Sequence, residues 1–414
     1  MTVMTVIFFM WGFLTSLNDV LIPHLKAVFA LNYAEIMLVQ FTFFGAYFVM
    51  SLPSGKVVSW VGYKHSIVIG LVVAGLGAAL FYPAAALPSY GLFLGAFFIL
   101  ASGITLLQVA ANPYVSLLGP ARTASSRLNL SQALNSLGTT LAPKFGGMLI
   151  LSATVLGAAE LAKLSPAQQA AYHAAQAQAV QGPYLGLAAV LLILAVGVFL
   201  FRLPAPAIER AEGGHARHTF RDALKHKHLL FGVIGIFVYV GAEVSIGSFL
   251  INYISLPAIG NLPQARAADF VALYWGGAMI GRFGGAALLQ KADPRKLLGI
   301  FAGIAALLVV TTMLTTGFVA VWTIVAIGLF NSIMFPNIFT LGIDRMGALT
   351  NRASSLLIMA IVGGAVIPEL QGLLADTIGL HHAFVLPLLC YLYIIFYGFK
   401  GSRMNVGASA ARDQ

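Results

Sequence analysis

Apolar residues run along this chain in blocks of roughly twenty, separated by short breaks of Gly, Pro and charged residues. The pattern predicts helices at 3–28, 34–61, 66–87, 90–117, 125–152 and 183–202. A second set follows at 228–254, 266–290, 296–315, 318–343, 352–376 and 381–399. About twenty residues is the length a helix needs to cross a hydrocarbon core ~30 Å thick. The expected fold is therefore an all-α membrane protein of twelve transmembrane helices. The first block carries no basic n-region and is interrupted by Asn18 and Asp19, so it reads as a retained helix rather than a signal peptide.

Composition agrees, with 59% of the 414 residues hydrophobic and 9% charged, against about 25% charged in soluble domains. A water-soluble globule is excluded. The net charge of +10 raises the question of nucleic acid, which the distribution of the charge answers. With an even number of helices and both termini cytoplasmic, every Lys and Arg except Lys26, Lys144, Lys163 and Arg266 falls on the inner side. No nucleic-acid partner is needed.

The segment 203–227, with Pro204, Pro206, Gly213, Gly214 and many charges, reads as a cytoplasmic linker between bundles at 1–202 and 228–414. His215, His218, His226 and His228 lie in or beside it, at spacings that match no tight ligand pattern, and read as part of a solvated basic loop. Segment 153–182, rich in Ala and Gln, reads as a short amphipathic piece outside the membrane. The single cysteine, Cys390, permits no disulfide framework or Cys-based metal site within the chain.

The two sets of helices share a register. Asn337 follows Asn112 by 225 residues, as Arg352 follows Arg127, Gly363 follows Gly138 and Gly372 follows Gly147. Asp19 and Glu243 are 224 apart, and Gly55 and Gly281 are 226 apart. A nearly constant offset over several helix pairs is the trace of a duplicated six-helix unit, the organisation of parallel-repeat transporters.

A carboxylate at bilayer depth costs about 2.5–3.5 kcal/mol on insertion scales, so Asp19 and Glu243 need partners or a task. Either could carry a proton, or hold Na⁺ together with amide and hydroxyl oxygens, or lock the bundle by pairing with a donor. Asp19 is the candidate for a bound Na⁺. Amides gather on the same helices: Asn18 on the first, Gln108 and Asn112 on the fourth, Gln132 and Asn135 on the fifth. Gln108 and Asn112 share a face at i, i+4. The second set offers Glu243, Asn252, Asn331 and Asn337, with Trp275 to stack on a sugar ring. Sugar hydroxyls donate and accept at once, and an array of amides beside one carboxylate satisfies them. Interhelical hydrogen bonding is the alternative use of such amides. Pro113 and Pro336 lie inside predicted helices and free the carbonyls of Val109 and Ser332.

The stretches WGFLTSLNDVLIPHL around Asp19, LLQVAANPYVSLLG from Leu106, RLNLSQALNSLG from Arg127, YVGAEVSIGSFL from Tyr239 and FPNIFTLG from Phe335 together resemble the fucose/glucose/galactose:cation symporter family of the major facilitator superfamily. The resemblance runs from the first helix to the last. It implies two pseudo-symmetric six-helix bundles, bacterial inner-membrane location and inward sugar movement, with the aspartate matching Asp19 in cation coupling and substrate contact. Where Gln108 stands, the fucose permease branch has a glutamate, so the chain is more similar to the glucose/galactose branch. The loop after Gly55 resembles the superfamily's gating motif at Gly55, Gly62 and Lys64 and departs from it at Ser59 and Trp60.

The expectation is thus a monomeric cation-coupled monosaccharide symporter for a glucose-, galactose- or mannose-like hexose, working by alternating access. Na⁺ or H⁺ is its coupling ion, it has no cofactor, and Asp19, Gln108 and Asn18 do the coupling. Its alternatives are an H⁺-coupled fucose-type or N-acetylglucosamine symporter and a non-transporting sugar sensor. An enzyme is not expected, because no phosphate loop or catalytic metal cluster is present in the sequence.

Overall fold

The structure, a computed structural model, describes residues 1–29, 33–87, 89–149, 163–204 and 219–403, and within these ranges not the side chains of Asn18, Asp19, Lys26 and Lys144, among others. All regular elements among the described residues are helical, as apolar solvent requires of a spanning segment, since a helix satisfies its own backbone groups. In chain order the first are α1 (Thr2–Val28), α2 (Tyr33–Ala79), α3 (Phe81–Ala86), α4 (Tyr90–Leu117), α5 (Ala124–Leu149), α6 (Pro166–Gln178) and α7 (Gln181–Leu200). After the linker come α8 (Phe220–Leu224), α9 (Lys227–Ile254), α10 (Gln264–Leu288), α11 (Pro294–Leu314), α12 (Gly317–Asn331) and α13 (Met334–Gly342). The chain continues with α14 (Thr350–Met359), α15 (Gly363–Ile378), α16 (Leu380–Ala383) and α17 (Val385–Phe396).

Eight stretches among the described residues are long and apolar enough to cross a membrane. One of them, Leu38–Ala86, has 49 residues, far more than a single crossing needs. It is divided at Gly62, whose φ of 76° lies in the left-handed region open to glycine. The helices expected at 34–61 and 66–87 are therefore joined by a one-residue break rather than a loop. Two residues later Lys64 donates its Nζ to the Phe199 carbonyl at 2.8 Å, satisfying an open acceptor at the C-terminus of α7. α1, α5 and α10, which carry the candidates Asn18 and Asp19, Gln132 and Asn135, and Trp275, fall outside the eight.

Packing groups residues 1–111 with 131–205 as one compact unit, and 112–130 with 206–414 as another. In the first unit, Gly138 of α5 lies against the Phe9 carbonyl of α1, with no room for a Cβ. In the second, Gly363 of α15 lies in the same way against the Phe237 carbonyl of α9. Close approach of helix backbones through small residues replaces hydrophobic burial as the packing force in lipid. The two glycines share the 225-residue offset, so the duplication seen in the sequence reappears as a matched helix crossing.

Arg127 organises the 112–130 segment. Its guanidinium donates to the carbonyls of Val115, Ser116, Gly119 and Pro120 and to Thr123 Oγ1, using all five donors to tie the end of α4 to the start of α5. Within the second unit this segment is held further by Ser125 Oγ to Thr340 Oγ1 at 2.6 Å and Ser126 Oγ to the Ala286 carbonyl at 2.5 Å.

Of the expected linker, residues 205–218 lie outside the described residues, His215 and His218 with them. The remainder forms α8, opened by a capping box between Thr219 and Asp222. Hydrogen bonds from Lys225 and Thr219 hold the Asp222 carboxyl well below the usual carboxylate range.

Candidate functional site

In the first unit the polar candidates are buried among apolar helices. Gln108 lies on α4, 8% exposed, and its Nε2 donates to the hydroxyl of Tyr47 on α2 at 2.8 Å. Tyr47 is itself 2% exposed, so this bond fixes the amide orientation inside a dry region. Gln132 and Asn135 lie on α5, both buried. Asn135 donates to the Phe8 carbonyl of α1 at 2.9 Å, and its backbone carbonyl abuts Gly12. α5 is thus held against α1, the helix that carries Asn18 and Asp19. Those two residues lie on α1, but their side chains are outside the described part of the structure. Asn112, fully buried on α4 one turn beyond Gln108, opens the 112–130 segment that is grouped with the second unit.

The second unit has a different chemistry. Glu243, in the middle of α9 and 9% exposed, has its Oε1 3.6 Å from an Nη of Arg282 on α10. Arg282 Nε also donates to the Ser332 carbonyl at 3.3 Å. That carbonyl is the one Pro336 deprives of its helical donor. Here the helix expected at 318–343 is interrupted, with α12 ending at Asn331 and α13 starting at Met334. Asn331 is fully buried and held by three tyrosines. Its Nδ2 donates to Tyr274 Oη at 2.8 Å, its Oδ1 accepts from Tyr391 at 2.7 Å, and its backbone carbonyl accepts from Tyr239 at 3.1 Å. Tyr274 in turn donates to the Glu243 backbone carbonyl at 3.3 Å. Glu243 and Asn331 are therefore brought into one network.

The other candidates of this unit lie apart from it or beside it. Asn337 is fully buried, accepts from Asn129 at 3.2 Å and donates to the Pro294 carbonyl at 3.4 Å. These bonds give it a packing partner on each side. Asn252 is exposed near the end of α9. Trp275 is 39% exposed, packed edge-on to Tyr274 at 5.1 Å and close over Gly247. Sequence reasoning missed Tyr47, Arg282 and the tyrosine hub. The signal that would have found Arg282 is a lone arginine well inside a largely apolar block, a placement as costly as that of Glu243.

Three comparisons bear on this arrangement. Residues 4–368 match the Major Facilitator Superfamily. The glucose/galactose transporter of Brucella abortus (strain 9-941) is 52% identical over 403 residues, covering 97% of this chain and 94% of its own length. The L-fucose-proton symporter of Escherichia coli (strain K12) is 35% identical over 400 residues, covering 94% and 90%. The crystal structure of the E. coli fucose:proton symporter superposes with a TM-score of 0.89 at 33% identity, over 96% of this chain and 97% of that one.

Proposed function

Because this chain belongs to the Major Facilitator Superfamily, we propose that it is a cation-coupled symporter that imports a monosaccharide of the glucose/galactose type by alternating access. It is a multi-pass membrane protein and a transporter rather than an enzyme. The observation that carries the reading is end-to-end similarity, at 52% identity over 97% of the chain, to a protein named a glucose/galactose transporter.

The chemistry of the first unit supports a sugar as substrate. Gln108, Gln132 and Asn135 offer neutral donors and acceptors buried among apolar helices, the setting in which a hydroxyl array is bound with little competition from water. Asp19, with Asn18 and Gln108 nearby in sequence or on α4, is the proposed coupling centre. Its carboxylate takes up a monovalent cation with the sugar and gives up both inward. H⁺ is the ion favoured by relatives named proton symporters, and Na⁺ is the alternative that the neutral Gln108 leaves open. We further propose twelve spanning helices, two six-helix domains at 1–202 and 228–414 with the linker inside, and an inner bacterial membrane with both termini cytoplasmic.

The test is uptake into proteoliposomes of glucose, galactose, mannose, fucose and N-acetylglucosamine under separate Na⁺ and pH gradients. Accumulation of a hexose above equilibrium under one of the two gradients is expected. Sugar binding with no flux under either would instead make the protein a sensor.

A further inference from the structure

Building on the transport reading, we propose that Arg282 is a positioning residue. It holds the interruption between α12 and α13 in one conformation, with Glu243 serving as its counter-charge rather than as a coupling carboxylate.

Four observations converge on it. Pro336 leaves the Ser332 carbonyl without its helical donor, and Arg282 Nε supplies one at 3.3 Å. The same guanidinium faces Glu243 at 3.6 Å, with both side chains little exposed, at 13% and 11%. This contact is long for a charge-assisted hydrogen bond, and Glu243 Oε1 makes no hydrogen bond of its own. The pair balances charge more than it builds fixed geometry. The reach of Arg282 is set by its neighbours: Gly281 lies against the Leu329 carbonyl and the Ser332 side chain, and Gly328 against the Tyr274 carbonyl, so α10 and α12 meet backbone to backbone. Finally, Asn331, immediately before the break, is tied by tyrosines from α9, α10 and α17. The break is thus clamped on one side by three hydroxyls and on the other by a single arginine.

A clamp of this kind has a consequence for turnover. The tyrosine bonds hold Asn331 to its surroundings, while the carbonyl at the break itself depends on one side chain that also answers to a carboxylate. Loss of the Arg282 contact leaves the Ser332 carbonyl without that donor and the buried Glu243 carboxylate without its counter-charge. Loss of Glu243 leaves only the cation to be balanced. Unpaired buried charge is more damaging than absence of the pair, which makes the two residues non-additive.

The experiment compares R282M, R282K, E243Q and the double variant R282M/E243Q in proteoliposome uptake and in thermal melting of the detergent-solubilised protein. R282M is expected to lower maximal flux about ten-fold, with the sugar KM changed less than about two-fold. R282K restores the charge opposite Glu243 but not the planar fork that reaches Ser332, so it should recover melting temperature and not flux. The double variant should melt above R282M. E243Q should still accumulate sugar uphill. Full recovery of flux in R282K, unchanged flux in R282M, or additive melting shifts in the double variant would overturn the proposal. Loss of uphill accumulation with retained exchange in E243Q would overturn it as well, by making Glu243 a coupling group. Should R282M fail to fold, R282K and E243Q carry the same comparison. If the wild-type protein moves none of the sugars, it is the transport reading that fails, and the melting cycle still reports on the pair.

Discussion

The two compact units share a helix crossing and differ in what they bury. In the first, Gln108 and Asn135 are neutral amides bonded to a phenol and a backbone carbonyl. In the second, the buried polar groups are an ion pair, a clamped helix break and three tyrosines around Asn331. Duplication preserved the backbone packing, where a Cβ at Gly138 or Gly363 has nowhere to go, and left the polar chemistry free to diverge. A buried neutral amide can exchange its partner for a ligand hydroxyl at little net cost. A buried charge cannot give up its partner so cheaply. The first unit is thus suited to binding and the second to holding shape.

The largest expected effect separates the two carboxylates. D19N should collapse uphill accumulation to equilibration, because one charge crossing 100 mV contributes about 2.3 kcal/mol, or roughly fifty-fold in gradient. E243Q should retain accumulation. Uptake under an imposed cation gradient, measured in both variants, decides this, and the reverse pattern breaks the comparison. Next in size are G138V and G363V, which push a side chain into a neighbouring backbone carbonyl. Each should lower stability by at least ~1–3 kcal/mol, seen as a matched fall in melting temperature. A large loss at one and none at the other would mean that the two crossings are not equivalent. Smaller again is Y47F, which removes the acceptor of the Gln108 amide. About 1 kcal/mol is at stake, so the sugar KM should rise about five-fold with melting little changed. Smallest in function is Y391F, which loosens Asn331. It should cost ~0.5–1.5 kcal/mol of stability and leave the sugar KM alone.

Much of this was legible from the order of residues. The spans followed from block length, and observed helix ends fall within a few residues of those expected, as at Tyr90–Leu117 against 90–117. The carbonyl freed by Pro336 was readable because proline acts four residues back along its own helix. The duplication was readable because offsets survive divergence. What could not be read is contact between residues far apart in sequence. Gln108 and Tyr47 are 61 residues apart, and Asn331 and Tyr391 are 60 apart. Neither pair is linked by any helical period, and both depend on which faces meet. Asn112 and Asn337 share an offset and suggested one role in two halves. Yet Asn337 spends its amide on Asn129 and Pro294, a use that only packing reveals. The break between 34–61 and 66–87 was legible in place but not in form, since one glycine with positive φ does the work of a loop.

The central claim, that this chain drives a hexose uphill through a cation held by the first unit, is tested most directly by proteoliposome uptake of glucose and galactose under an imposed pH or Na⁺ gradient, with wild type and D19N side by side. The account predicts accumulation above the external concentration in wild type, abolished by dissipating the effective gradient, and equilibration without accumulation in D19N. Equal accumulation in the two proteins, or wild-type uptake that never exceeds equilibrium under either gradient, would contradict it.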